Sequence, residues 1–418
     1  MAAQPLLTTE EVAILLGVKP ATVYAYVSRG LLTSRRNADG KNSLFTKADV
    51  DNFLASRRRT TTPGIQTGIT LIRDGKLYFR GRDATVLART STYEAVAAFL
   101  WTGEGTGDLS DGHRPGRHAE SDTGLPGDDD PDGIGLAINH DLRDLARDVT
   151  RLLPPTARLT DHLRVTVAAA AAADPLRFDT TPAAVVATGR QLLATMVEGL
   201  PPRQTTPARR LSFAEALWSR LTAEEPTDAG LHLLNAALVL LADHDIAAST
   251  LAARVAASTR AHPYAVVGAG LAALDGPLHG AASGLAYTLL AESVSDSGPM
   301  ATVSERLRAG LPIPGFGHPL YPDGDPRATT LFDLLDDGPA KETALRLDAN
   351  LRTRSGSPAN VDLALAALAL HFGMPADAGE AIFAVARTAG WLAHALEEYG
   401  DRPLRFRPSG TYAGSQPV

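Results

Sequence analysis

Apolar residues recur along most of the chain at the three- and four-residue spacing of a helix face. Residues 93–100, 182–200, 231–241 and 361–372 all follow this rule. Only residues 69–72 and 77–79 read as strands, and Asp74-Gly75 between them has the chemistry of a hairpin turn. The pattern therefore predicts a mainly α fold. Polar punctuation divides it. Thr60-Thr61-Thr62-Pro63-Gly64 reads as a linker, and residues 103–135 are crowded with Gly, Asp, Pro and Ser. Such a segment cannot bury enough apolar surface to order itself, which predicts a flexible surface insertion.

Ahead of the linker the pattern is that of a small helical unit. Thr8-Thr9-Glu10-Glu11 opens a helix as a cap followed by acids, with Val12, Leu15 and Leu16 as its apolar face. Gly17 breaks it, and Pro20 suits the first turn of a second helix. There Val23 and Val27 face inward, which leaves Thr22, Tyr26 and Arg29 outward beside Lys19. Arg35, Arg36 and Lys41 flank a turn at Asp39-Gly40, and a final helix over residues 49–58 closes the unit. TTEEVAILLGV, TVYAYVSRGLL and FTKADVDNFL together resemble the winged helix-turn-helix of the MerR and excisionase families. The outward set and the basic turn, Lys19, Thr22, Tyr26, Arg29, Arg35 and Arg36, could meet a major groove and its flanking phosphates; the alternative is a module that only mediates contacts or is a retained appendage.

Charge sharpens the division. Residues 1–60 carry nine Lys/Arg against five acids, whereas the whole chain of 418 residues has a net charge of −7. A basic head on an acidic body suggests two partners. Cysteine is absent, which excludes disulfides and thiolate metal sites and fits a reducing cytoplasm. The N-terminus lacks the features of a secretory signal, and residues 231–241 are too short to span a bilayer. A soluble, cytoplasmic protein with no membrane partner is expected. Within the insertion, Asp128-Asp129-Asp130-Pro131-Asp132-Gly133 partly matches a calcium loop, but the twelfth position is Asn139 rather than a bidentate Glu. A solvated acidic loop is the better reading, and no metal site is expected.

Three short motifs carry chemistry. Gly276-Pro277-Leu278-His279-Gly280 sets an imidazole at a helix start, where the helix field favours the neutral ring, able to donate to a developing enolate oxygen. In Pro314-Gly315-Phe316-Gly317-His318-Pro319, glycines permit close approach of backbone to a ligand. Asp325-Pro326 then forms a cap and first turn that present Arg327 as a fork for a carboxylate. Asn360-Val361-Asp362 leads into an apolar helix. Two histidines and one carboxylate suffice to enolise a thioester and add it to a ketone.

These motifs, in this order, resemble the citrate synthases from Gly68 to Gly414. GKLYFRGRDATVLA, LWTGE, the His244-to-Thr250 element HDIAAST, GPLHG, GFGHPLYPDGDPRA, NVD and ARTAGWLAHALEE carry the likeness. The resemblance implies that His279 stabilises the acetyl-CoA enol, Asp362 removes the methyl proton, and His318 polarises the oxaloacetate ketone. It further implies that His244, Arg327 and Arg387 bind the oxaloacetate carboxylates. Arg407 would complete the site from a second subunit of a homodimer. Acyl-CoA enters as a co-substrate and no cofactor is implied. The resemblance divides the chain into a helix-turn-helix module (1–59), a linker (60–67), a large domain (68–275 and 384–418) and a small domain (276–383) that closes over ligands. The sequence departs from the family at Ala281, where a second glycine is usual, and in LALAALAL after Asp362, where aromatic and Ser-Gly residues are more common. That second change leaves both acetyl-CoA and propionyl-CoA open as thioesters. A DNA-binding metabolite sensor on the same fold is the reading from another class.

Overall fold

The computed structural model describes residues 6–16, 18, 20–28, 32, 34–36, 43–47, 49–50, 65–104, 139–205, 211–295 and 298–406. The chain forms two compact units, residues 1–66 and 67–418.

In the first unit a short antiparallel sheet, ordered β1-β3-β2, joins β1 (Leu6–Thr8), β2 (Arg35–Arg36) and β3 (Ser43–Thr46). Helices α1 (Thr9–Leu16) and α2 (Pro20–Ser28) complete what is described of it. Thr8 caps α1 reciprocally: its hydroxyl accepts from the Glu11 N–H at 3.3 Å, and the Glu11 carboxylate accepts from the Thr8 N–H at 2.8 Å. Val12, Leu16, Val23, Leu32, Phe45 and Val50 form a separate small core. One expectation is corrected here. Tyr26 does not face outward but packs half-buried against this core, while Tyr24 is the exposed tyrosine. The aromatic ring is worth more to so small a core than to solvent. Lys19, Arg29 and residues 51–64, with most of the expected closing helix, lie outside the described residues, as do the side chains of Thr22, Arg35 and Arg36.

The second unit opens on the expected hairpin, β4 (Thr70–Arg73) and β5 (Lys76–Phe79). Its turn residues Asp74 and Gly75 both adopt positive φ, as a two-residue hairpin turn demands. A third strand, β6 (Arg82–Asp83), extends the sheet and was not foreseen. Helices follow: α3 (Ala84–Thr90), α4 (Tyr93–Thr102), α5 (His140–Thr150), α6 (Leu159–Ala173), α7 (Pro182–Glu198), α8 (Phe213–Leu221) and α9 (Asp228–Leu241). Then come α10 (Ala248–Ser258), α11 (Pro263–Leu274), α12 (Ala282–Ser295), α13 (Pro299–Arg308), α14 (Pro326–Leu334), α15 (Pro339–Ser355), α16 (Val361–His371) and α17 (Ala378–Gly400). Most of the insertion, residues 105–138, with the acidic run considered for calcium, lies outside the described residues. Asn139 caps α5 by accepting from the N–H groups of Asp141 and Leu142.

Helix α17 organises this unit. It packs against α4, α6, α7, α9, α10 and α11, and is buried along nearly its whole length. Gly270 of α11 admits the Trp391 ring so closely that an added Cβ would lie 2.5 Å from it. The boundary expected between residues 383 and 384 falls inside this continuous helix. A second group, α12, α14 and α15, packs around α16. Among the described residues no helix is long and apolar enough to cross a membrane.

Candidate active site

Five chain segments meet at one cluster. The first follows α9. His244 is almost fully buried, and its Nε2 lies 2.9 Å from the Tyr321 hydroxyl. Burial, then Arg327, Arg387, His318 and His279, hold its ring well below the usual histidine range.

The second segment is the turn before α12. His279 stands three residues ahead of that helix, and its Nε2 lies 2.8 Å from the Ser249 hydroxyl. Its ring meets Phe383 edge-on at 5.7 Å, and the Arg387 guanidinium lies over the same phenyl ring, 4.7 Å from its centroid. The ring is pushed down to about 4, first by burial and then by Arg387. The neutral imidazole expected from a helix field is thus favoured by desolvation and a neighbouring cation instead.

The loop before α14 supplies the third segment. The His318 and His244 rings meet edge-on at 5.2 Å, and His318 lies 5.0 Å from Tyr321. The Leu320 N–H donates to His318 Nδ1 at 3.2 Å. A neutral imidazole that accepts at Nδ1 carries its proton on Nε2. Burial and Arg327 lower this ring as well, against Asp325. Asp325 caps α14 as expected, yet its carboxylate does more. It takes both Nε (3.0 Å) and Nη2 (2.8 Å) of Arg327 and accepts the Val361 N–H at 3.1 Å. The guanidinium fork anticipated for a substrate is therefore oriented by a protein carboxylate. Burial works against both charges, and their pairing outweighs it, so Asp325 stays low and Arg327 high.

Asp362 comes from the fourth segment. Asn360, not Asp362, caps α16: its side chain accepts from the Asp362 N–H at 3.0 Å and donates to Gly317 O at 3.0 Å. Two backbone bonds, Gly317 N–H to Pro358 O (2.7 Å) and Asn360 N–H to Gly315 O (2.9 Å), join this segment to the His318 loop. The Asp362 carboxyl makes no hydrogen bond among the described residues. Burial raises it to about 7, opposed by Arg327 and aided by Asp325.

Arg387 of α17 closes the cluster. Its Nε donates to Leu241 O at 2.8 Å, whereas Nη1 and Nη2 are buried with no hydrogen-bond partner among the described residues. Buried cations without acceptors are rare in folded chains, and burial, helped by the charge of Arg327, moves this guanidinium down to about 10 against the pull of Asp243. His244, His279, His318, Arg327, Arg387 and Asp362 thus share one electrostatic neighbourhood. Arg407 lies outside the described residues.

The family model for the citrate synthase C-terminal domain matches residues 59–409. The chain belongs to the citrate synthase family. A helix-turn-helix domain model matches residues 6–58 in addition. Citrate synthase from Acidithiobacillus ferridurans is 30% identical, over 82% of this chain and 90% of that protein. The 2-methylcitrate synthase 2 of Corynebacterium glutamicum is 28% identical over 81% of this chain and 89% of its own. The crystal structure of citrate synthase from Thermotoga maritima MSB8 superposes with a TM-score of 0.66 at 26% identity, covering 86% of this chain and 97% of that one. The protein is therefore an enzyme of the citrate synthase type with a helix-turn-helix unit ahead of the family domain. Sequence reasoning had left three contributors unassigned: Ser249 beside His279, Asp325 as the clamp on Arg327, and Phe383 between His279 and Arg387. Only Asp325 had a local signal, its cap position, and that signal points to helix capping alone.

Proposed function

We propose that the enzyme condenses acetyl-CoA with oxaloacetate and hydrolyses the resulting thioester to citrate and CoA. The observation that carries this reading is the pairing of one carboxyl near neutrality, Asp362 at about 7, with two imidazoles held neutral beside the unpartnered Nη groups of Arg387. A base able to take a carbon-bound proton needs such an affinity, and a dicarboxylate needs such a cation.

Oxaloacetate would lie against His244, Arg327 and Arg387, with Arg407 of a second subunit completing the site. For His279 to donate to the thioester oxygen it must carry its proton on Nδ1, and the Ser249 hydroxyl would then donate to Nε2. Asp362 takes the methyl proton while that donation stabilises the enol. The enol carbon attacks the oxaloacetate ketone, and the new alkoxide takes the Nε2 proton of His318. Water then cleaves the thioester and CoA leaves. Closure of residues 276–383 over the ligands would exclude water until the carbon–carbon bond has formed.

Thiol release from acetyl-CoA that depends on oxaloacetate tests the reading. Absence of release from folded protein overturns it, and a higher kcat/KM for propionyl-CoA would move the enzyme to 2-methylcitrate synthesis. One methylene is worth only ~1–3 kcal/mol in a pocket, so turnover of both thioesters at unequal rates is expected. Asp362→Asn should keep oxaloacetate affinity and lose turnover by about three orders of magnitude or more, as removal of a positioned base requires.

A further inference from the structure

Next to His244 in the chain, and beginning beside Arg387, a line of ionisable groups runs through the interior. Asp243, His394 and Glu398 are wholly buried and Arg254 is 1% exposed. The Thr70 hydroxyl donates to Asp243 Oδ2 at 2.5 Å, and His394 Nε2 lies 3.2 Å from the same oxygen. On its other edge, His394 Nδ1 is 2.5 Å from Arg254 Nη1. Arg254 donates from Nε to Glu398 at 2.5 Å and from Nη1 to Glu397 at 2.7 Å. Glu398 in turn receives Arg405 through Nε at 2.8 Å and through Nη2.

A guanidinium only donates, so His394 Nδ1 must accept from Arg254, and the ring proton must then sit on Nε2, directed at Asp243. The tautomer is fixed from both edges. Burial works to raise Asp243, and His394, Arg387 and Thr70 outweigh it, so its carboxyl stays anionic. The line therefore alternates in sign: Asp243 negative, Arg254 positive, Glu398 negative, Arg405 positive, with the His394 imidazole bridging the first two. Each end reaches substrate-binding chain. Asp243 precedes His244, and the Gly390 N–H donates to Ala242 O at 3.0 Å. Arg405 lies two residues before Arg407, in a segment also tied by the Leu404 N–H to Ser258 O at 2.9 Å.

We propose that His394 is a positioning residue for the dicarboxylate substrate: wedged between Arg254 and Asp243, it holds the backbone of His244 in register with Arg387. Arg254 and Glu398 extend the same fixation to the C-terminal segment. The proposal rests on oxaloacetate as the ligand of His244 and Arg387. Among the described residues no hydrogen bond of the line ends on His279, His318 or Asp362, so its loss should be felt more by one substrate than by the other.

Steady-state kinetics and calorimetry on the full chain test this, comparing wild type with His394→Gln after circular dichroism and a melting curve have shown that the variant folds. The oxaloacetate KM and Kd should rise about tenfold, equal to ~1.4 kcal/mol, while the acetyl-CoA KM and kcat stay within about threefold. A purely structural role would lower the folded fraction and leave both KM values unchanged, and that result overturns the proposal. So does an equal rise in both, or a fall in kcat alone. If His394→Gln does not fold, Asp243→Asn is the second variant, since Asn keeps an acceptor for Thr70 and His394. It should raise the oxaloacetate Kd by roughly threefold, because the contact of His394 with the residue before His244 is weakened, and an unchanged or lowered Kd overturns the idea. Wild-type thiol release separates this outcome from failure of the condensation reading: if wild type is inactive but binds oxaloacetate, the Kd comparison still decides, and if it does neither, both readings fall.

Discussion

Desolvation at Asp362 gives the reaction a pH signature. With its carboxyl at about 7 and His279 at about 4, the aspartate is the one of this pair that changes state near neutrality. The base must be ionised, so kcat/KM should climb as pH rises, with a midpoint about 7, and a pH–rate profile checks it. Protonation of His279 falls on a limb where Asp362 is already silent, so no separate step should be seen there. Stability should move the other way. The folded state binds a proton at Asp362 more tightly than the unfolded chain does, whose carboxyl titrates near 3.8. Between those values the native form holds more protons, and stability declines as pH rises through the interval. Glu380, raised to about 7 by burial against Arg158, adds to the same slope. Asp362→Asn should therefore melt higher than wild type at pH 8, by roughly 2–4 °C, with the gap shrinking toward pH 5.

At the level of elements, the junction between the His318 loop and α16 deserves a direct probe. Gly315 adopts φ +89°, and an added Cβ would meet the Leu363 Cβ at 3.0 Å. Gly315→Ala is expected to cost about 1–3 kcal/mol and to lower kcat, because the loop that holds His318 must shift. Denaturant melts with kinetics on the surviving folded protein would show both. This junction also marks how far sequence reasoning reached. Helices such as α7, α9 and α16 were legible because each buries a face at 3.6-residue spacing, and the β4–β5 hairpin was legible from Asp74-Gly75. Strand β6 is two residues long and exists only because β5 offers it an edge. The Asp325 clamp joins segments 36 residues apart, a pairing that no local periodicity encodes. His394 had no motif of its own, since its partners Asp243 and Arg254 come from other parts of the chain. Tyr26 was misplaced because its helix is short and its ring serves a core too small to show in the pattern.

The whole molecule divides into a basic N-terminal unit and a second unit that contains every described residue of the ligand cluster. Deleting residues 1–59 should leave oxaloacetate-dependent thiol release within about twofold of the full chain, since the match to the citrate synthase family model begins at residue 59 and every described residue of the ligand cluster lies in the second unit; a larger loss would tie the module to catalysis. Within the second unit, one rod carries Phe383, Arg387, His394 and Glu398. A helix advances ~1.5 Å and turns ~100° per residue, so these four azimuths are geared to one another. A single codon inserted between Phe383 and Arg387 would swing the guanidinium, the imidazole and the carboxylate away from their targets together, like a camshaft slipped by one tooth. Length variation among descendants of this gene should accordingly gather in the connections around α17 and spare the rod itself.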